Sequence, residues 1–405
     1  MSHSIIHFDY GMTRPLPQRQ KRSLITTRLL PYGQKTKLLL TAAGVKYKKC
    51  DQPVVLPRPD LEALGITYRR IPLLAVGKDV YADSALIIDL ITSKLATSGA
   101  VATSPADKAF ETWGNVTFVE MLGIIPPQAL TPEFVKDRET IFPLVKRSDL
   151  KSLRPSTVAG FQSRCREVEE RFLADGSGPY IKGDKLSLAD IHFIWCVRWG
   201  MKDLGAANEA GCGKDAFPKL WKMIESLPPA EPEVLGSEEA LKTIKEGKFF
   251  ADAPTSVMKG DPLGLSAGTP VTIESADAKP GAHVQVGKLV GTSPSEVVLD
   301  VGNDGVRLHF PRIGYIVRAH STVDKVAKPE YFARDKKADK KGSEEAFFGQ
   351  GEKAEKKKPS GDRAEDQKKV DEGLLKAIKK EAMLQEYLKS QFSLRKGDRP
   401  HEMVW

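Results

Sequence analysis

Several places along the chain put chemically able side chains into a pattern that would position them. Asp83-Ser84 places a carboxylate and a hydroxyl directly before an apolar-periodic run. That is the usual make-up of a helix N-cap, and the free N–H groups of such a first turn also receive anions. Pro72 is the second residue of the run IPLLAV, at the opening of a strand; having no N–H to donate, it reads as an edge or bend residue. Tyr32 brings a hydroxyl to the start of another helix, either as a core or groove aromatic or as a group that acts on a ligand. His192, Cys196 and Trp199 fall at i, i+4 and i+7 and imitate a ligand face. No second His or carboxylate completes a metal site there, so they read as core, and His283 and His309 read as structural. In the tail, Phe332, Phe347 and Phe348 stand in a Lys-rich segment with Lys336 and Lys337. Such a segment is either a solvated linker or a strap that neutralises phosphates with Lys and docks rings in the grooves of RNA.

The elements around these residues follow from periodicity. Ser4 to Phe8 (SIIHF) is predicted as a strand, Tyr32 to Ala43 as a helix closed by Gly44, and Lys46 to Asp51 as a second strand. Ile71–Val76 and Asp79–Ala82 read as strands around the turn Gly77-Lys78, followed by a helix from Ser84 to Leu95. The order is βαβ then ββα. Pro105 to Met121, Leu153 to Ala174 and Leu188 to Leu204 carry helical spacing, with a further amphipathic helix in FPKLWKMIESL, so an all-α domain is expected. Within KLSLADIHFIW, Ser187 and Asp190 form the S-x-x-D of a capping box. From Val257 to Ala319 the pattern turns to short β runs separated by Gly, Pro, Asn and Asp, enough for a small barrel or sandwich.

Length and composition bound the rest. At about 100 to 200 residues per domain, 405 residues make two to four folded units. No apolar run approaches the roughly 18 residues of a membrane span. Cys50, Cys165, Cys196 and Cys212 form no CxxC pair, which speaks against a zinc or disulfide framework and for a reducing compartment, the cytosol. No metal is expected. The net charge of +9 is weak evidence for a polyanion partner, but Ser321 to Trp405 concentrates 21 basic and 17 acidic residues in 85 and is a separate compositional object. Tyr10 to Cys50 has ten Lys or Arg and no acid, as targeting segments do, yet a core strand precedes it.

Through PYGQK, RRIPLL and the Asp-Ser opening of the last helix, the front part resembles a glutathione S-transferase over about residues 4–240. The resemblance implies a thioredoxin-like domain (1–100), an all-α transferase C-terminal-like domain (101–240) and glutathione as substrate. It implies a cis Pro72 that turns the Ile71 backbone toward the tripeptide, with a plain trans edge proline as the alternative. It also implies that Asp83 and Ser84 receive the γ-glutamyl carboxylate, with capping alone as the alternative, and that two copies pair as a dimer. Such transferases lower the thiol pKa with a Ser, Cys or Tyr near the start of the first helix. Here Leu30 stands at that place, leaving Tyr32 as the nearest hydroxyl. Between strand and helix, Gly11 to Leu30 is an irregular, acid-free insertion where two to six residues are usual, consistent with intron translated in frame. A β module like that of 252–320 accompanies fungal transferase-like proteins.

The words PEYFA, SEEAFF, DQKKVD, YLKSQFSL and PHEMVW closely resemble the C-terminus of the sixth eukaryotic large-subunit ribosomal protein, over about residues 321–405. The resemblance implies a largely extended basic tail with two short helices, roughly Asp366 to Lys380 and Met383 to Gln391. Its rRNA-contact candidates are Phe332, Lys336, Lys337, Phe347, Phe348, Lys368 and Lys369, and its partners are the RNA and proteins of the 60S subunit. Three readings stand side by side: a glutathione-binding enzyme or its derivative, a structural constituent of the ribosome, and two neighbouring genes joined in one product. The expected site is cytoplasmic, or the ribosome if the tail functions.

Overall fold

The computed structural model describes residues 3–11, 31–96, 100–250, 254–302 and 304–320. The insertion beyond Gly11, Leu30 and the whole tail with its Phe and Lys candidates lie outside the described residues.

Strand β1 (Ile5–Tyr10) runs through the centre of the first layer, four of its six residues buried. It pairs in parallel with β2 (Lys48–Gln52) and antiparallel with β3 (Leu73–Val76), which turns into β4 (Asp79–Ala82). Helix α1 (Tyr32–Ala42) makes the crossover between β1 and β2, α2 (Pro59–Glu62) precedes β3, and α3 (Ser84–Leu90) follows β4 and continues as a wider turn to Leu95. Side chains alternate across this layer as a period of two requires. Leu74 and Val76 join one apolar cluster with α1 and α3, while Leu73 and Ala75 join the other with α2.

The helical layer holds α4 (Asp107–Glu120), α5 (Pro132–Arg138), α6 (Arg154–Glu167), α7 (Leu188–Arg198) and α8 (Pro218–Glu225). Helix α7 is its centre: Asp190 is fully buried, accepts from the N–H of Ser187 and of Ile181 at 2.9 Å, and completes a capping box. Gly114 on α4 allows close contact with α7, since a Cβ there would fall 2.1 Å from the His192 carbonyl oxygen. His192, Cys196 and Trp199 are buried in this interface. Burial pushes the Cys196 thiol up to about 12 and the His192 imidazole down to about 3, so neither is charged near neutrality.

The third stretch corrects one expectation. Strand β5 (Glu233–Leu235) and helix α9 (Ser237–Lys245) come first, and β5 extends the sheet beside β2. Then β6 (Pro270–Ser275), β7 (Gln285–Thr292), β8 (Glu296–Val301), β9 (Val306–Pro311) and β10 (Tyr315–Ala319) form an antiparallel ladder. It does not close into a separate barrel or sandwich. Strand β9 lies parallel to β4, and one ten-stranded sheet results, in the order β10-β6-β7-β8-β9-β4-β3-β1-β2-β5. The physical reason is the open edge of β4, whose amides and carbonyls need partners. Leu308 and Phe310 of β9 share the cluster of Leu73 and Ala75, so the apolar face is continuous as well. Gln285, buried on β7, accepts the N–H of Thr67 at 2.8 Å and of Tyr68 at 3.1 Å, tying the appended ladder to the segment leading into Pro72.

Candidate functional site

A cavity of about 290 Å³ opens where the three parts meet. The end of β1 brings Tyr10, the start of α1 brings Tyr32, and the segment before β3 brings Ile71 and Pro72. The start of α3 brings Asp83 and Ser84, α4 supplies Phe118, and the loop after β6 supplies Asp277. All five residues named as site candidates in the front part therefore share one cavity.

Their local geometry differs in kind. The Ile71–Pro72 peptide is cis and both residues are buried. Asp83 is the one non-glycine residue with positive φ among the described residues, at 72°. Such a backbone costs of the order of 1–3 kcal/mol and persists where surrounding contacts over-determine it. Here they do: Oδ1 accepts the Ala85 N–H at 2.8 Å, capping α3, and Oδ2 accepts the Tyr315 hydroxyl at 2.9 Å. Ser84 follows, buried, in the first turn. The Tyr32 ring packs edge-on to Phe118 at 4.9 Å and against Trp195 at 4.5 Å, while its hydroxyl donates to Asn115 Oδ1 at 3.5 Å. Burial pushes the Tyr32 phenol far up, so it keeps its proton and can donate a hydrogen bond but not act as a base.

The residue-by-residue reading missed the charged wall opposite. Arg58, Arg69 and Arg138 are each about 1% exposed, packed around Tyr10 and Asp137. Arg69, Arg70 and Arg138 all line the cavity, and Arg70 pairs there with Asp277 at 2.6 Å. The doublet in RRIP was visible as a strand-leading motif, but nothing local tells a buried guanidinium from a solvated one. Asp277 and Tyr315 were missed because their approach depends on the β9–β4 pairing.

His283 Nε2 meets Thr140 Oγ1 at 2.7 Å, and burial, with Arg69 nearby, lowers its pKa to about 4. The four cysteines are free and buried, and burial raises the Cys50 thiol to about 11. Among the described residues no three His, Cys, Asp or Glu side chains gather as metal ligands, and no helix is long and apolar enough to cross a membrane.

Residues 24–98 match the family model of the glutathione S-transferase N-terminal domain, and residues 316–405 match that of ribosomal protein L6e. The chain is a fusion: glutathione S-transferase-like in front, L6e-like at its end. Residues 121–231 match a domain of unknown function. The helical domain's likeness to transferases is therefore one of fold. A GST-like protein from Pseudomonas syringae superposes with a TM-score of 0.53, at 21% identity, over 79% of this chain and 100% of its own. The large ribosomal subunit protein eL6 of Dictyostelium discoideum is 42% identical over 107 residues, covering 25% of this chain and 45% of that protein. Its Candida albicans counterpart is 49% identical over 72 residues, 18% of this chain and 40% of that protein. The chain thus spans less than half the length of these curated relatives. The L6e match begins at residue 316, inside β10.

Proposed function

We propose that the front part binds glutathione in the cavity and presents its sulfur to an electrophile. One observation carries this reading: the cis Ile71–Pro72 peptide and the Asp83-Ser84 start of α3 line the same cavity, in a segment matched by a transferase N-terminal domain model. In this reading the Ile71 main chain pairs with the peptide-like body of the tripeptide. Ser84 and the N–H groups of the first turn of α3 hold the γ-glutamyl carboxylate, and Asp83 faces its ammonium. Tyr32, kept protonated by burial, donates to the sulfur and favours the thiolate. With Leu30 in place of a hydroxyl or thiol, turnover rests on that single donor. Two copies pair through the transferase-like part. Retention on glutathione-agarose that falls in a Ser84→Ala variant supports the reading; retention unchanged in that variant, or absent from the folded chain, refutes it.

The L6e match favours a second role for the tail. Residues 321–405 engage the large ribosomal subunit in the cytoplasm, with Lys336, Lys337, Lys368 and Lys369 on rRNA phosphates and Phe332, Phe347 and Phe348 in its grooves. Co-sedimentation with large subunits that is lost on deleting Ser321 to Trp405 tests it. Two further readings concern the gene: translated intron over 11–30, and two genes joined. A peptide spanning Arg22 to Arg28 found in cells opposes the first, and a single 44.6 kDa product opposes the second.

A further inference from the structure

The inner wall of the cavity holds more positive charge than its own side chains neutralise. Arg58, Arg69 and Arg138 are buried together, and the carboxylate among them is Asp137. Asp137 Oδ2 accepts from Arg69 Nη2 and, at 2.5 Å, from Arg138 Nη1; its Oδ1 is taken by the Leu56 N–H at 3.2 Å. The Tyr10 hydroxyl accepts from Arg58 Nη2 at 3.2 Å and Arg138 Nη2 at 3.4 Å. Main-chain carbonyls take more: Pro53 and Arg69 accept from Arg58, and Val54 from Arg138 at 2.8 Å.

Three guanidinium nitrogens are left over. Nε and Nη1 of Arg69 and Nε of Arg138, on two of the three arginines that line the cavity, are buried without an acceptor among the described residues. Leaving a buried charge short of partners is unfavourable, and an incoming anion would offset that. Two titrations reflect the same imbalance. Burial, with Arg138 nearby, lowers Arg69 to about 10. Burial raises the Tyr10 phenol, but the three guanidiniums outweigh it and hold the phenol below its ordinary value.

We propose that the Arg69–Arg138 wall is an anion subsite, which takes the carboxylate, sulfonate or phosphate of a small molecule lodged in the cavity. Arg69 Nε and Nη1 and Arg138 Nε supply the donors, and guanidinium donors suit planar carboxylates and phosphates. The anion has two sources: the glycyl carboxylate of glutathione, in which case this subsite rests on the reading above, or the acid of a second ligand.

The test uses the full chain and the ultraviolet band of ionised tyrosine. Sulfate added against chloride at matched ionic strength neutralises the wall and shifts the Tyr10 titration upward; Arg138→Gln abolishes the shift. No sulfate-dependent shift, or the same shift in Arg138→Gln, overturns the subsite. Should Arg138→Gln fail to fold, Tyr10→Phe replaces it, and a sulfate-sensitive band that survives in Tyr10→Phe overturns the subsite too. Titrations with glutathione, with its glycyl ethyl ester and with a thiol-free aromatic carboxylate separate the sources. An ester that binds about ten-fold more weakly than glutathione assigns the wall to the glycyl carboxylate. An ester that binds equally well, with an aromatic carboxylate dependent on Arg138, assigns it to a second ligand. A sulfate shift in a chain that ignores glutathione keeps the subsite and removes the glutathione reading alone.

Discussion

The hydroxyl of Tyr315, on the last strand of the appended ladder, donates to Oδ2 of Asp83 at 2.9 Å. The same hydroxyl meets that of Tyr68 at 2.6 Å. The appended ladder therefore reaches into the candidate site and fixes the carboxylate that caps α3. A residue 232 positions away in sequence helps to hold Asp83 in its positive-φ conformation.

Tyr315→Phe removes that hydrogen bond and leaves a half-buried carboxylate with one acceptor oxygen short of this partner. Hydrogen bonds to charged groups contribute about 1.5–3 kcal/mol. Denaturant unfolding is expected to show a loss of about 2 kcal/mol, and glutathione affinity to fall by about three- to ten-fold as Asp83 loosens. Unchanged stability and affinity would separate the ladder from the site.

The joint between β4 and β9 is expected to weaken on the alkaline side. His309 Nε2 lies 3.0 Å from Asp79 Oδ1, Nδ1 lies 3.3 Å from Glu296 Oε2, and Tyr81 stacks on the ring at 4.3 Å. Burial disfavours the imidazolium, but the two carboxylates outweigh it and raise the pKa above the ordinary 6.5. A group whose folded pKa is raised contributes its full stability below the unfolded pKa and loses it as pH rises through the folded value. Asp79→Asn should flatten this alkaline loss in thermal unfolding followed against pH; a slope unaltered by the variant would show that His309 is not the cause.

Acid should act through His7. This ring is fully buried in β1, with Nε2 2.7 Å from Thr36 Oγ1, and burial lowers its pKa from 6.5 to about 4. The sign is opposite to that of His309. The neutral ring is the folded form, so its contribution is present above pH 6.5 and is lost as pH falls from 6.5 toward about 4. The loss should amount to roughly 3 kcal/mol at most. His7→Gln should remove that portion of the acid slope in urea unfolding across this range.

Lys35 on α1 is completely buried, 3.5 Å from Glu111 on α4 and 5.8 Å above the Trp195 ring. Burial pushes Glu111 up, but Lys35 and Lys108 outweigh it and hold the carboxyl below its ordinary value. Removing one partner of a buried pair costs about 3–5 kcal/mol, whereas replacing both by apolar groups is often neutral. Glu111→Gln should therefore destabilise by about 3 kcal/mol, and Lys35→Met with Glu111→Leu should restore most of it. Equal losses in the single and double variants would contradict the pairing.

What was legible in the sequence had a local cause. The alternation in IIHFDY and LLAV marked strands, the capping box at Ser187 and Asp190 marked α7, and Asp83-Ser84 marked α3. The ends of helices were less legible: the apolar period of Ser84 to Leu95 continues past Leu90, where the backbone widens its turn. What escaped depends on partners far along the chain. Strand β5 is three residues long and exists by pairing with β2. The β9–β4 pairing that merges the ladder into the main sheet joins residues more than 200 positions apart. The guanidinium wall gathers Arg58, Arg69 and Arg138 from three segments, each of which alone reads as a solvated charge.

A crystal structure of the full chain grown with glutathione is the most direct test of glutathione binding. The tripeptide is expected in the cavity, its γ-glutamyl end at Ser84 and Asp83 and its main chain beside Ile71. A cavity that stays free of glutathione at saturating concentration, or glutathione bound at any other place on the chain, would contradict this reading.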